Sequence, residues 1–243
     1  MKKIFITGGS SGLGEAIIRN LSKEYYIIAV ARRMSLMKKK FKNLNNLEFY
    51  QLDLANINKV NFFLKKIIKK HKDINYVINN AGFFDKQGIK DITKYSLNYS
   101  FNLNTFAPLI IMKFFCEEMK KKGFGRIINI TSGAAFNCSD KVSLYSASKA
   151  ALNAFSLTAA KEYKKFNVFI NLFSPGPIRT EMMPKAKLSP NIAIRGIRYL
   201  LEAGNKDFTG KFIWINSILP TAPNLKGIRW DKGLASKKFP KIS

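Results

Sequence analysis

The stretch Thr7-Gly8-Gly9-Ser10-Ser11-Gly12-Leu13-Gly14 lies between a short apolar run, Lys3–Thr7, and the helix-forming segment EAIIRNLSKE. No other feature narrows the fold as far. Glycines let a backbone turn tightly and approach a pyrophosphate, and the N-terminus of the next helix offers free N–H groups and a positive dipole end. Alone, a glycine-rich turn says little. Between a first strand and a first helix it points to a dinucleotide-binding unit. Its spacing is Gly-x-x-x-Gly-x-Gly, not the commoner Gly-x-Gly-x-x-Gly.

The rest of the chain repeats the strand-then-helix rhythm. Apolar, β-rich runs occur at Lys3–Thr7, Tyr26–Ala31, Leu47–Leu52, Tyr76–Asn79, Arg126–Ile130, Val168–Phe173 and Phe212–Asn216. Runs that are apolar on both faces suit a parallel sheet covered by helices on each side. Between them, Ile57–Lys70 sets Ile57, Val60, Leu64, Ile67 and Ile68 on one stripe with lysines opposite. Ser96–Lys122 and Leu144–Lys165 read as two long helices. No repeat, low-complexity linker or composition break divides the chain, so residues 1–243 are expected to form a single α/β domain. The expected sheet is doubly wound, parallel and of about seven strands.

Ile127–Lys149, IINITSGAAFNCSDKVSLYSASK, carries the chemistry. It begins as a strand and ends on a helix. Tyr145 and Lys149 are four apart and so share one helix face. A fixed ammonium beside a phenol favours the phenolate, which would bring tyrosine toward use as an acid or base near neutral pH. Ser132, just past the strand, offers a hydroxyl to a substrate oxygen. The spacing alone would fit an exposed helix face; the preceding strand and serine make the catalytic reading the better one.

Charge is the oddity of the composition: 42 basic against 15 acidic residues, a net of +27. That fits an acidic partner, such as nucleic acid, an anionic membrane, an acyl-carrier protein or a phosphorylated substrate. It also fits compositional drift, which the scatter of the lysines favours. Runs such as Lys38–Lys40 and Lys120–Lys122 are short and flank helices, as solvated faces do. No nucleic-acid motif accompanies the charge, so no specific nucleic-acid partner is expected. The two cysteines, Cys116 and Cys138, have no metal spacing and suggest a reducing compartment. No metal site is expected. The single His71, in KKHKDI near a helix end, is expected at the surface. The apolar run before the first glycines is too short for a signal peptide, and none approaches a membrane span. A cytoplasmic protein is expected.

Taken together, these motifs resemble the short-chain dehydrogenase/reductase family, in its compact single-domain branch with a Rossmann-like fold. The match runs over roughly residues 3–216. Thr7 to Gly14 match the family's T-G-x-x-x-G-x-G, and Asn79-Asn80-Ala81-Gly82 its N-N-A-G. Ser132, Tyr145 and Lys149 match the serine and the Y-x-x-x-K, and Pro175-Gly176 with Thr180 match the P-G-x-x-x-T. The helix asparagine maps to Asn104, followed by Ala107 and Pro108, with Asn102 as the other candidate.

The resemblance implies a catalytic set of Asn104, Ser132, Tyr145 and Lys149. Lys149 would hold the nicotinamide ribose and lower the Tyr145 pKa. Tyr145 would protonate the alkoxide, Ser132 would steady the oxygen, and Asn104 would support a water that re-protonates Lys149. The implied cofactor contacts are Gly8, Ser10, Ser11, Gly12, Leu13 and Gly14, with Arg32, Arg33, Asp53 and Leu54. Asn80, Ala81, Gly82, Tyr145, Lys149, Pro175, Gly176, Ile178 and Thr180 complete them. Asp53 would meet the adenine, although a helix-capping role fits it too.

At the end of the second strand, IIAVARRM, NAD enzymes place a carboxylate on the ribose 2′-hydroxyl, whereas arginine suits a 2′-phosphate. Here that position is Ala31, followed by Arg32 and Arg33. A planar guanidinium can grip a phosphate with two bonds. NADP(H) is therefore expected over NAD(H). The expected function is NADPH-dependent reduction of a small-molecule ketone, by a homodimer or homotetramer pairing through the two long helices. A non-catalytic nucleotide-sensing protein on the same fold is the alternative. After Thr180, EMMPKAKLSPN reads as a short cover over the substrate. The tail, 217–243, departs from the family's usual end: it lacks the Asp-Gly-Gly turn and has prolines, Trp230 and five lysines.

Overall fold

The computed structural model describes residues 1–205 and 207–220, with the short strands Ile228–Arg229 and Leu234–Ala235. The chain opens with β1 (Lys3–Thr7), α1 (Gly12–Leu21), β2 (Tyr26–Ala31), α2 (Met34–Lys40), β3 (Leu47–Gln51), α3 (Ile57–Lys70) and β4 (Ile74–Asn79). A helical stretch follows as α4 (Lys94–Phe101), a π-helical segment (Asn102–Phe106) and α5 (Ala107–Lys122). Then come β5 (Gly125–Ile130), a short α6 (Ala134–Asn137), α7 (Ser143–Tyr163), β6 (Val168–Ser174), α8 (Ile192–Leu201), β7 (Phe212–Trp214) and β8 (Ser217–Leu219).

The sheet order is β3-β2-β1-β4-β5-β6-β7-β8. Every pairing up to β7 is parallel. The winding reverses between β1 and β4, and ligands of such sheets bind outside the carboxyl ends of the strands at that point. Alternation sorts the core: Ile4 and Ile6 of β1 pack on one face with Ile17, Leu21, Met37 and Ile197. Phe5 packs on the other with Val60, Leu64, Ile111 and Phe115. Each such fully buried side chain stabilises the fold by about 1.5–3 kcal/mol.

Three expectations change. The last strand stops at Trp214, because Ile215 takes a left-handed φ of 56° and turns the chain back. Ser217–Leu219 then pairs antiparallel with β7, making eight strands in the main sheet rather than seven. No glycine marks the reversal, so the sequence carried little signal for it. Apart from Ile228–Arg229 and Leu234–Ala235, the rest of the tail, Trp230 included, lies outside the described residues.

The long helix expected over Ser96–Lys122 begins earlier, where Thr93 and Ser96 form a capping box, and is interrupted by the π turn. His71 is buried, not exposed: it caps α3 with Nε2 3.1 Å from the Glu48 carboxylate, and burial pushes its pKa down. No helix of the described residues is long and apolar enough to cross a membrane.

Candidate active site

The glycine turn is built by close approach. Gly8 has a φ of 74°, and a Cβ there would fall 2.8 Å from the Ala81 backbone. A Cβ on Gly12, φ 57°, would press on Thr180 at 3.0 Å. On Gly14 it would run into the Gly8 carbonyl oxygen, so this glycine lets α1 pack against the turn. The turn is tied to the end of β4. The Thr7 hydroxyl accepts from the Asn80 and Ala81 N–H groups at 3.0 Å, and the Asn80 amide donates to the Thr7 and Gly8 carbonyls. Ser11 stands at the N-cap of α1 without capping it, so the first N–H groups of the helix face an open crevice.

That crevice is a cavity of about 830 Å³. Every residue expected to contact the cofactor lines it except Gly14. The turn's free N–H groups, its missing Cβ atoms and the cavity's size fit a dinucleotide with room for a small second ligand.

At the end of β2, Arg33 donates through Nη2 to the Ser11 hydroxyl at 2.7 Å, while its Nη1 lies 2.8 Å from a Glu181 carboxylate oxygen. Arg32 donates to the Tyr99 hydroxyl at 2.6 Å. Asp53 accepts from the Ala55 N–H in a local turn, and the cap of α3 is Asn56 instead. The capping alternative for Asp53 therefore falls away. Lys40, which the sequence offered only as part of a lysine run, donates to the Ser10 carbonyl at 3.1 Å and pairs with Glu15.

Ser132 follows β5, where its Oγ accepts the Ala134 N–H at 3.1 Å. Tyr145 and Lys149 stand one turn apart on α7 and line the same cavity. Lys149 is 3% exposed and donates to the Ile130 carbonyl at 2.9 Å. Burial holds its pKa down to about 8. Phe84 sets its ring edge-on to Tyr145 at 5.1 Å.

The expected lowering of the Tyr145 pKa is not found in the chain itself. Burial raises it, opposed by a hydrogen bond with Ser132. The Lys149 ammonium is 5.8 Å from the centre of the tyrosine ring, and its own charge is disfavoured by burial. The phenol is thus kept protonated at neutral pH.

Asn104 sits in the π segment, fully buried behind the cavity wall. Its Oδ1 accepts the Phe83 N–H, and its Nδ2 donates to the Phe83 carbonyl, both at 2.8 Å, and to the Ser148 hydroxyl at 3.0 Å. A Cβ on Gly82 would lie 3.6 Å from Asn104 Oδ1 and 3.7 Å from Lys149 Nζ, so both side chains crowd this glycine. Asn102, the other candidate, donates instead to the Ala55 carbonyl beside α3.

The segment after β6 completes the wall. Ile178 bridges to Leu188, and Thr180 and Met183 exchange backbone bonds in a tight turn. Met182, Met183, Trp214 and Phe84 line the cavity as well. Phe84 and Trp214 escaped the sequence reading because nothing local distinguishes them from packing residues.

A doubly wound sheet with this glycine turn at its switch point, and a Tyr/Lys pair on the helix facing it, is an arrangement found in nicotinamide-dependent oxidoreductases. The chain belongs to the short chain dehydrogenase family, whose family model matches residues 2–190. It is 29% identical over 199 residues to an uncharacterized oxidoreductase of Saccharomyces cerevisiae, covering 77% of this chain and 65% of the yeast protein. It is 31% identical over 235 residues to a benzil reductase of Bacillus cereus, covering 83% and 94%. Among solved structures, ElxO with NADP bound matches with a TM-score of 0.80 at 27% identity, covering 88% of this chain and 97% of that one.

Proposed function

We propose that the protein reduces a ketone to an alcohol with NADPH, using Tyr145 as the proton donor. The observation that carries this reading is convergence: Ser132, Tyr145 and Lys149 line one cavity with the glycine turn and the two arginines at the end of β2. Two of the similar proteins support it, one named for reduction of benzil and the other solved with NADP.

When bound, the reduced nicotinamide supplies the hydride. The chain's residues manage the oxygen. Tyr145 donates its proton to the carbonyl oxygen as that atom gains charge, and the Ser132 hydroxyl donates a hydrogen bond to it. A phenol that burial keeps protonated suits the reductive direction. Lys149 would hold the nicotinamide ribose, and Asn104 fixes the Phe83 backbone beside it. Arg32 and Arg33 would grip the 2′-phosphate, for which Ala31 leaves no competing carboxylate. Asp53 and Leu54 would meet the adenine. Gly8, Ser10–Leu13, Asn80–Gly82, Pro175, Gly176, Ile178 and Thr180 would enclose the remainder.

The protein acts as a single domain in the cytoplasm and pairs through α5 and α7, where Phe106, just before α5, and Phe155 are exposed. The test is a carbonyl panel with NADPH, following consumption of the reduced cofactor. Tyr145→Phe should retain the fold and lose about 10²–10⁴-fold in rate. A folded Tyr145→Phe protein that turns over at the wild-type rate would refute the mechanism.

A further inference from the structure

We infer that the substrate of this site is a neutral ketone carrying an aromatic ring, and that ketones bearing a carboxylate or phosphate are poor substrates. The inference rests on the carbonyl-reductase reading and adds the chemistry of the group beside the reacting carbon.

Charge is distributed unevenly around the cavity. Among the described residues, its charged lining is Arg32, Arg33, Asp53, Glu181 and Lys149. The first three follow β2 and β3, at the nucleotide end. Glu181 is paired to Arg33 at 2.8 Å. Lys149 is buried with its ammonium on the Ile130 carbonyl. The rest of the wall is uncharged, in a chain with a net charge of +27. An anionic group held there would lose water and meet only the Lys149 ammonium, which is buried on the Ile130 carbonyl and, in the proposed reading, taken up by the ribose. Burying a poorly paired charge is unfavourable.

The apolar side chains have the opposite preference. Phe84 stands edge-on to the Tyr145 ring, so an apolar surface adjoins the proposed proton donor. Trp214, Met182 and Met183 are 43%, 41% and 45% exposed, yet all three line the same cavity. Large apolar groups left uncovered around a concave site are surface a ligand can bury. Trp214 is held in place: it pairs with Ser174 in the sheet, and its indole nitrogen is 3.7 Å from where a Gly176 Cβ would be. Thioether sulfur and aromatic edges both favour contact with a ring. Asn137 and Ser139 also line the cavity and offer it uncharged polar groups.

The experiment compares acetophenone with 4-acetylbenzoate, which differ by one carboxylate, in NADPH-driven reduction and in quenching of tryptophan fluorescence in cofactor-free protein. The neutral ketone should have a kcat/KM about tenfold or more above the anion, a discrimination one polar group readily gives. It should also quench fluorescence at lower concentration, with the signal lost in Trp214→Phe. Met183→Lys, which introduces a cation, should narrow or reverse the preference. Equal or better use of 4-acetylbenzoate by the wild-type protein would overturn the inference while leaving carbonyl reduction intact. Selective quenching by the neutral ketone, with no carbonyl in a broad panel reduced, would instead retain the binding preference and overturn the catalytic reading. Equal quenching by the two ketones would overturn the inference whatever the turnover.

Discussion

Replacing Lys149 with Met should alter the pH dependence of stability, because this ammonium is buried at a cost. Burial moves its pKa from 10.5 to about 8, which at about 1.4 kcal/mol per unit is a penalty of about 3 kcal/mol on the charged form. The folded-state value is the lower one, so between pH 8 and 10.5 the unfolded chain binds more protons. Wild-type stability should therefore rise with pH through that window, relative to a chain lacking the lysine. Below it the full penalty is present. Met fills similar space without charge, but the substitution removes the donor to the Ile130 carbonyl, a loss of about 1 kcal/mol. At pH 7 the variant should equal or exceed the wild type by up to about 2 kcal/mol, while losing the reductase activity proposed above. Urea unfolding of the cofactor-free proteins at closely spaced pH values gives both curves. The difference between them is the informative quantity, since the other lysines and tyrosines are common to both. Parallel curves across pH 8 to 10.5 would show that Lys149 is not held as a disfavoured cation.

Arg32 and Arg33 replaced together by Ala should weaken NADPH binding roughly 10- to 100-fold and leave NADH within about twofold, by calorimetric titration; equal affinities in the wild type would refute the phosphate assignment. Glu181→Gln, which frees Arg33 from an exposed ion pair, should tighten NADPH by only about 2- to 5-fold, and no change would mean the pair does not compete. Gly14→Ala should lower stability by about 1–3 kcal/mol, since its Cβ meets the Gly8 carbonyl; thermal unfolding at the wild-type midpoint would contradict that packing. DNA or RNA should bind weakly and with a steep salt dependence, as to a generic polycation, and tight binding at physiological salt would reverse the reading of the +27 charge.

The sequence by itself determined what depends on local period and local sterics. Doubly apolar runs had to become buried parallel strands, and the glycine turn had to join the first strand to the first helix. Tyr145 and Lys149 had to share a helix face, because one α-helical turn brings residues four apart together. Tertiary structure decided what depends on which distant groups meet. Where Asn104 and Asn102 point follows from the π turn, which sends one amide to the Phe83 backbone and the other to Ala55. The direction of the Tyr145 pKa follows from burial, which no spacing encodes. His71 and Lys40 looked like members of lysine-rich surface runs until packing set one against Glu48 and the other on the glycine turn. Phe84 and Trp214, 130 positions apart in the chain, line one cavity because strands β4 and β7 are threaded into the same sheet. Periodicity is a property of neighbours along the chain. A binding wall is a property of neighbours in space, and only the packed sheet brings these together.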